Sequence, residues 1–322
     1  MCIRDRMNPK LMLINRHIVV GPNEFEKSHP NLIDEVLKKF CFDRSKEKMN
    51  KITNIETGTQ QLLAKIDHNV GIITLNRPEA RNALSDELTP ALRKTIKEFN
   101  ESNIVRSLMI TGSGESFCAG GDIKSMSKEG IGPKSTREES INDLQKKQLS
   151  LTGALFNLKK PTIASLPGPA AGAGLSIALA CDIRYVSSNA FAIAGYGRIA
   201  LSGDYGISWF LNNIVGQSKA KELLFTNTKI DAVEGLRIGL FNKIFKKEDL
   251  YEASLDAAKK ISQFSPLALE KMKSNINKAN EINLIDALEN EAAALVDTAR
   301  SNDHKEGVKA FVEKRSPSFK GN

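Results

Sequence analysis

Two β-prone apolar runs, residues 105–111 and 161–166, each break into a glycine-rich loop, and the second loop opens an alanine-rich helical stretch. The first loop reads Gly112-Ser113-Gly114-Glu115-Ser116-Phe117-Cys118-Ala119-Gly120-Gly121-Asp122, the second Gly168-Pro169-Ala170-Ala171-Gly172-Ala173-Gly174. Where a strand turns directly into a helix, the first amides of the helix have no intrahelical partner and can bind an anion. Strands alternating with helices imply a parallel sheet built from crossover units, so the expected class is α/β. Two such loops on neighbouring parallel strands can aim two amides at one oxygen, the geometry of an oxyanion hole. The plainer alternative is that the glycines only permit tight turns and close helix packing.

Around these loops the pattern is regular. Residues 62–66 and 70–75 read as a hairpin joined at Asp67-His68-Asn69. Ser85 is placed to cap a helix in which Leu88, Leu92, Ile96 and Phe99 recur at helical spacing. Residues 124–142 read as a polar stretch, 143–158 as a helix and 182–186 as a strand. Towards the C-terminus strand signals end, and residues 247–262, 266–279, 284–300 and 304–314 read as four amphipathic helices. Residues 1–48 differ from the rest, with ten basic and seven acidic residues and only short apolar fragments. They are expected to be a loosely attached extension or a mis-called start, followed by a core over 49–250 and a helical region over 251–322.

Composition excludes several functions. With 41% hydrophobic and 26% charged residues and four cysteines in 322, the chain fits neither a disulfide scaffold nor extended disorder. No run approaches the ~18 apolar residues of a membrane span. The net charge of +8 is scattered and only 6% of residues are aromatic, which argues against nucleic acid and suits a small polyanionic ligand. Cys2, Cys41, Cys118 and Cys181 form no CxxC pair, and His17, His29, His68 and His304 no HExxH, so no metal or redox cofactor is expected. Free thiols fit a reducing compartment, the cytoplasm or, in a eukaryote, the mitochondrial matrix. The first loop misses the dinucleotide pattern GxGxxG, neither loop ends in Gly-Lys-Ser/Thr, and Gly174-Leu175-Ser176-Ile177-Ala178 lacks the last glycine of a hydrolase elbow.

One set of motifs remains: Asn76-Arg77-Pro78-Glu79-Ala80-Arg81-Asn82-Ala83-Leu84, Ser116-Phe117-Cys118-Ala119-Gly120-Gly121-Asp122-Ile123, Lys160-Pro161-Thr162-Ile163-Ala164, Gly172-Ala173-Gly174 and Ala180-Cys181-Asp182. In this order, from about residue 60 to the C-terminus, they resemble the enoyl-CoA hydratase/isomerase family, the crotonases. The resemblance implies a spiral of ββα turns with a C-terminal helical trimerisation region, a homotrimer or dimer of trimers, and an acyl-coenzyme A thioester as substrate. Coenzyme A is then part of the substrate and no separate cofactor is implied. By resemblance the oxyanion-hole amides fall on Gly121 and Ala173. The stretch through Ala119, Gly120, Asp122, Ile123 and Lys124, with Gly172 and Gly174, falls along the thioester and pantetheine, and Arg77 and Ala80 fall where the nucleotide end is held.

The resemblance also bears on the chemistry. A hydratase of this family uses two glutamates, one just past the second glycine turn and one further along; the matching positions here hold Ser176 and Tyr196, which are kept as substrate-lining candidates. The remaining acid in the region is Asp204, in Ala200-Leu201-Ser202-Gly203-Asp204-Tyr205-Gly206, where some isomerases of the family, including the type that isomerises the ring epoxide of phenylacetyl-CoA, carry a single catalytic acid. Its local alternative is a cap on the helix beginning near Tyr205. The implied activity is an isomerase in which Asp204 moves a proton on an enoyl- or aryl-acetyl-CoA through an enolate held by Gly121 and Ala173. The alternatives are a hydratase using Asp204 with a non-standard second group, or a non-catalytic acyl-CoA- or RNA-binding member.

Overall fold

In the computed structural model, which describes residues 52–122 and 136–322, the hairpin forms as its two β-prone runs predict. Strand β1 (Thr53–Ile55) runs antiparallel to β2 (Leu62–Asp67), which pairs antiparallel with β3 (Val70–Leu75). Asp67 faces Val70, and the two residues between them, His68 and Asn69, both have positive φ, at 50° and 66°. That is the backbone a two-residue hairpin turn requires. Helix α1 (Leu88–Glu101) buries Leu88, Leu92, Ile96 and Phe99, and the Ser85 hydroxyl accepts the Leu88 amide at 3.0 Å, as expected of a cap. The reading of residues 1–48, and Ile123 and Lys124, lie outside the described residues.

Strand β4 (Ser107–Gly112), buried throughout, extends the sheet in parallel with β3. The next helix starts earlier than the sequence predicts. Helix α2 (Arg137–Gln148) begins inside the stretch read as polar and continues through a π turn at Leu149–Gly153 into a last turn at Ala154–Phe156. It buries none of its own residues, so no apolar stripe announces it; its local mark is the reciprocal capping box of Thr136 and Glu139.

From there β5 (Thr162–Leu166) pairs parallel with β4; β6 (Ala170–Ala171) and α3 (Ala173–Ala180) follow, and β7 (Ile183–Ser187) pairs parallel with β5. Then come β8 (Phe191–Ile193), α4 (Ile207–Val215), α5 (Gln217–Thr226), β9 (Ile230–Asp231), α6 (Ala232–Arg237) and β10 (Lys243–Phe245), the last parallel to β7. The large sheet has the order β1-β2-β3-β4-β5-β7-β10, and a second sheet has the order β6-β8-β9. Strands of two or three residues are too short to carry a readable alternation, and the sequence reading has no second sheet.

Helix α7 (Lys247–Ser262) covers one face of the large sheet, packing Leu250, Leu255 and Ala258 on Val70, Ile72, Met109, Ile163 and Tyr185. Helices α8 (Pro266–Lys278), α9 (Leu284–Ala299) and α10 (Asn302–Val312) follow close to their predicted bounds, each capped by a side chain: Ser265, Asn283 and Ser301. Among the described residues no helix is long and apolar enough to cross a membrane.

Candidate active site

The two glycine-rich loops meet at the C-terminal ends of β4 and β5, and backbone hydrogen bonds join them. The Phe117 and Cys118 amides donate to the Pro169 carbonyl at 3.0 and 3.2 Å, and the Ala171 amide donates to the Cys118 carbonyl at 2.9 Å. On its other side the first loop is held by the Ala119 amide on the Arg81 carbonyl and the Leu84 amide on the Gly120 carbonyl. The second loop is held by the small sheet, where the Gly172 amide reaches the Ile193 carbonyl at 3.1 Å. Buried Asn82 ties the base of the first loop, its amide donating to the carbonyls of Ser113 and Ser116 at 2.9 and 2.8 Å.

Close approach explains two of the glycines. A Cβ on Gly174 would stand 2.4 Å from the Cys118 carbonyl oxygen, so only glycine lets α3 seat against the first loop. Gly120 has φ +89°, and a Cβ there would lie 2.8 Å from the Ala171 oxygen and 3.4 Å from the Ala173 nitrogen. The segment carrying the Gly121 amide therefore lies directly against the first amide of α3. Among the described residues neither the Gly121 nor the Ala173 amide has an acceptor, and both residues line a cleft of about 790 Å³. Ala173 opens the helix, so its amide is unpaired by the geometry of a helix start.

Asp204 lines the same cleft. Its side chain does not cap α4, whose N-cap is Gly206 without a side-chain bond, so the capping alternative fails. Instead Asp204 Oδ1 accepts the Tyr196 hydroxyl at 2.5 Å, and the Asp204 backbone carbonyl accepts the Ile207 amide at 3.2 Å and the Ser176 hydroxyl at 3.3 Å. Burial raises the Asp204 pKa above its ordinary value, with the Tyr196 bond working against the rise. Burial, then the Asp204 bond, pushes the Tyr196 phenol well up, so it stays neutral and donates. Among the described residues the other carboxylate on the cleft, Glu115, is exposed and pairs with Lys247.

Of the sequence candidates, Ala119, Gly120, Gly121, Gly172, Ala173, Tyr196 and Asp204 come together along the cleft. Gly174 and Ser176 are buried in α3, and Arg77 and Asp122 pair with each other at the first loop. Arg77 is turned inward, donating to the Ala83 carbonyl at 2.7 Å and pairing with Asp122 at 3.2 Å, so its charge is spent on holding the chain between β3 and α1 to the first loop. The sequence reading misses Arg81 and Arg198, exposed cations on the cleft, and apolar Ile193, Ile199 and Leu201. Arg81 lies inside the Asn76–Leu84 motif, but its left-handed backbone (φ 52°) has no mark in the sequence. Cys118 and Cys181 are buried fillers as expected, burial pushing both thiols up to about 12.

A two-sheet α/β core with two loop amides and a buried acid on one cleft is built to stabilise a developing oxyanion beside a proton-transfer group. The family profile described as enoyl-CoA hydratase/isomerase matches residues 65–322. The short-chain-enoyl-CoA hydratase of Clostridium acetobutylicum is 34% identical over 252 residues, covering 76% of this chain and 92% of the relative. The 1,2-epoxyphenylacetyl-CoA isomerase of Escherichia coli K12 is 31% identical over 263 residues, covering 81% and 98%. A crystal structure of an enoyl-CoA hydratase subunit from Geobacillus kaustophilus superposes with a TM-score of 0.74 at 31% identity, covering 81% of this chain and 98% of that one. The chain belongs to the enoyl-CoA hydratase/isomerase, or crotonase, family and has its α/β fold. Relatives named as hydratases and as an isomerase stand at similar identity, so the choice of reaction rests on the side chains in the cleft.

Proposed function

We propose that this crotonase is an isomerase that moves a proton along an enoyl- or aryl-acetyl-CoA thioester with Asp204 as its single acid–base group. The observation that carries the reading is Asp204 itself: a half-buried carboxylate on the cleft that also holds the Gly121 and Ala173 amides, with Tyr196 rather than a second carboxylate beside it. Asp204 takes a proton from carbon, the electron pair of that C–H bond passes into the thioester carbonyl to form an enolate, and the two amides hydrogen-bond the enolate oxygen. The protonated Asp204 then returns the proton at another carbon, so no atom is gained or lost. Arg81 and Arg198 on the cleft, with the net charge of +8, suit the phosphates of coenzyme A, a part that the inward-turned Arg77 is poorly placed to play.

A 3-enoyl-CoA and crotonyl-CoA separate this from hydration. The 3-enoyl thioester is expected to gain the absorbance of a conjugated enoyl thioester, while crotonyl-CoA keeps its own. Bleaching of crotonyl-CoA at a comparable rate would make the protein a hydratase.

The helical C-terminus supports self-association. Ile276, Leu284, Ile285, Leu295, Phe311 and Val312 are each more than two-thirds exposed in the single chain, an amount of apolar surface that a lone chain rarely leaves in water. Sedimentation velocity is expected to give a trimer or a dimer of trimers, and a stable monomer at micromolar concentration would refute it.

A further inference from the structure

The Asp204 backbone is pinned from several directions. Gly203 (φ +111°), Tyr205 (φ +50°) and Gly206 (φ +79°) surround it with left-handed conformations, and its carbonyl is held by both Ser176 and Ile207. Its carboxylate is held differently. Among the described residues no Lys, Arg or His forms an ion pair with it, and the Tyr196 hydroxyl holds Oδ1. The same hydroxyl lies 3.9 Å from where a Cβ on Gly172 would stand, beside the start of α3 and its Ala173 amide. One buried phenol therefore touches the acid and borders the amide.

From this we infer that Tyr196 is a positioning residue for the reaction: by engaging Oδ1 it fixes the rotation of the Asp204 carboxylate, leaves Oδ2 as the proton-transferring oxygen, and sets its distance from the Ala173 amide. This rests on the reading of Asp204 as the base. Proton transfer from carbon demands close alignment, and a misplacement of ~1 Å can cost ~10²-fold in rate. A bound hydroxyl favours the ionised carboxylate, so its loss raises the carboxyl's pKa. A base must be ionised to act, so the acid limb of the rate profile then moves to higher pH. Among the described residues the other groups near Asp204 leave Tyr196 as its direct tuner. Tyr205 donates no bond to the carboxylate, and its own hydroxyl is held by Arg93 at 3.1 Å. Lys147 is paired with Asp143, Glu115 with Lys247, and Arg81 and Arg198 are exposed. Helix α4 carries no titratable side chain.

The test compares Tyr196→Phe with Asp204→Asn and wild type, using a 3-enoyl-CoA as substrate and a saturated acyl-CoA as binding probe. Tyr196→Phe keeps the ring and its packing. It is expected to lower kcat by about 10- to 100-fold, as misalignment does, to leave KM and acyl-CoA binding near wild type, and to shift the acid limb of kcat/KM upward in pH. If Asp204→Asn abolishes turnover while Tyr196→Phe keeps both the wild-type kcat and the wild-type pH profile, the positioning role is wrong and the base stands. If Asp204→Asn retains turnover, the base reading itself fails. A Tyr196→Phe protein that loses binding and melts early would show that the phenol holds the fold rather than the acid, and would also overturn the proposal.

Discussion

Asp204→Asn is expected to reduce isomerase turnover by ~10²–10⁴, the range that a positioned acid–base group supplies, with acyl-CoA binding retained. Asparagine has the shape of aspartate and its side-chain oxygen can still accept the Tyr196 hydroxyl, so the cleft is preserved while basicity is lost. The pair of assays is a 3-enoyl-CoA rate and a titration with a saturated acyl-CoA. Wild-type turnover would remove Asp204 from the mechanism. The variant carries a second signature, in stability. Burial raises the Asp204 pKa in the folded protein above its ordinary value. A carboxyl that binds its proton more tightly when folded costs stability while it is ionised, above the folded pKa, and the cost fades as pH falls through it. An uncharged asparagine does not bear that cost. At neutral pH the variant is expected to melt at or above the wild-type temperature, with the difference shrinking in acid. An acid kept at a cost to stability is one that function retains.

Gly174→Ala is expected to damage both fold and activity without touching any side chain of the cleft. The added methyl would stand 2.4 Å from the Cys118 carbonyl oxygen, 2.6 Å from its Cβ and 2.8 Å from its carbonyl carbon. Cys118 cannot retreat, because its amide and carbonyl are both bonded to the second loop. Helix α3 must move outward, carrying the Ala173 amide away from Gly121. Overpacking of this kind costs about 1–3 kcal/mol, enough to lower Tm by several degrees. Displacing one amide from a developing oxyanion is worth a further ~10²–10³ in rate. Thermal melting and turnover check the two parts separately. A normal rate with a lowered Tm would mean that the amides do not act on the reacting oxygen.

Legibility varied with how local the cause was. The hairpin, α1, the buried strands β4 and β5 and helices α7 to α10 were readable because β-prone apolar runs, helical spacing and capping residues lie within a few positions of one another. The start of α2 was not, since a helix that buries nothing has no apolar stripe. The small sheet was not, since β6 pairs with β8 and β8 with β9 through too few residues to set a pattern. In the cleft, the glycine loops and Asp204 could be picked out by motif. Arg77 is placed at the nucleotide end by resemblance alone; its bonds to Asp122, 45 residues on, and to the Ala83 carbonyl join segments that no short motif relates.

By itself the sequence determined the α/β class, the family, the two loops whose glycines permit close approach, and the absence of glutamate at positions 176 and 196. Those are properties of residue type and short-range order. Only the tertiary structure decided that Gly121 and Ala173 line one cleft, that Asp204 turns its carboxylate to Tyr196 rather than to a helix end, and that burial makes its charge costly. Such facts arise from packing between distant segments: a hydrogen bond's direction and a carboxylate's desolvation exist only once the surrounding chain has closed around it.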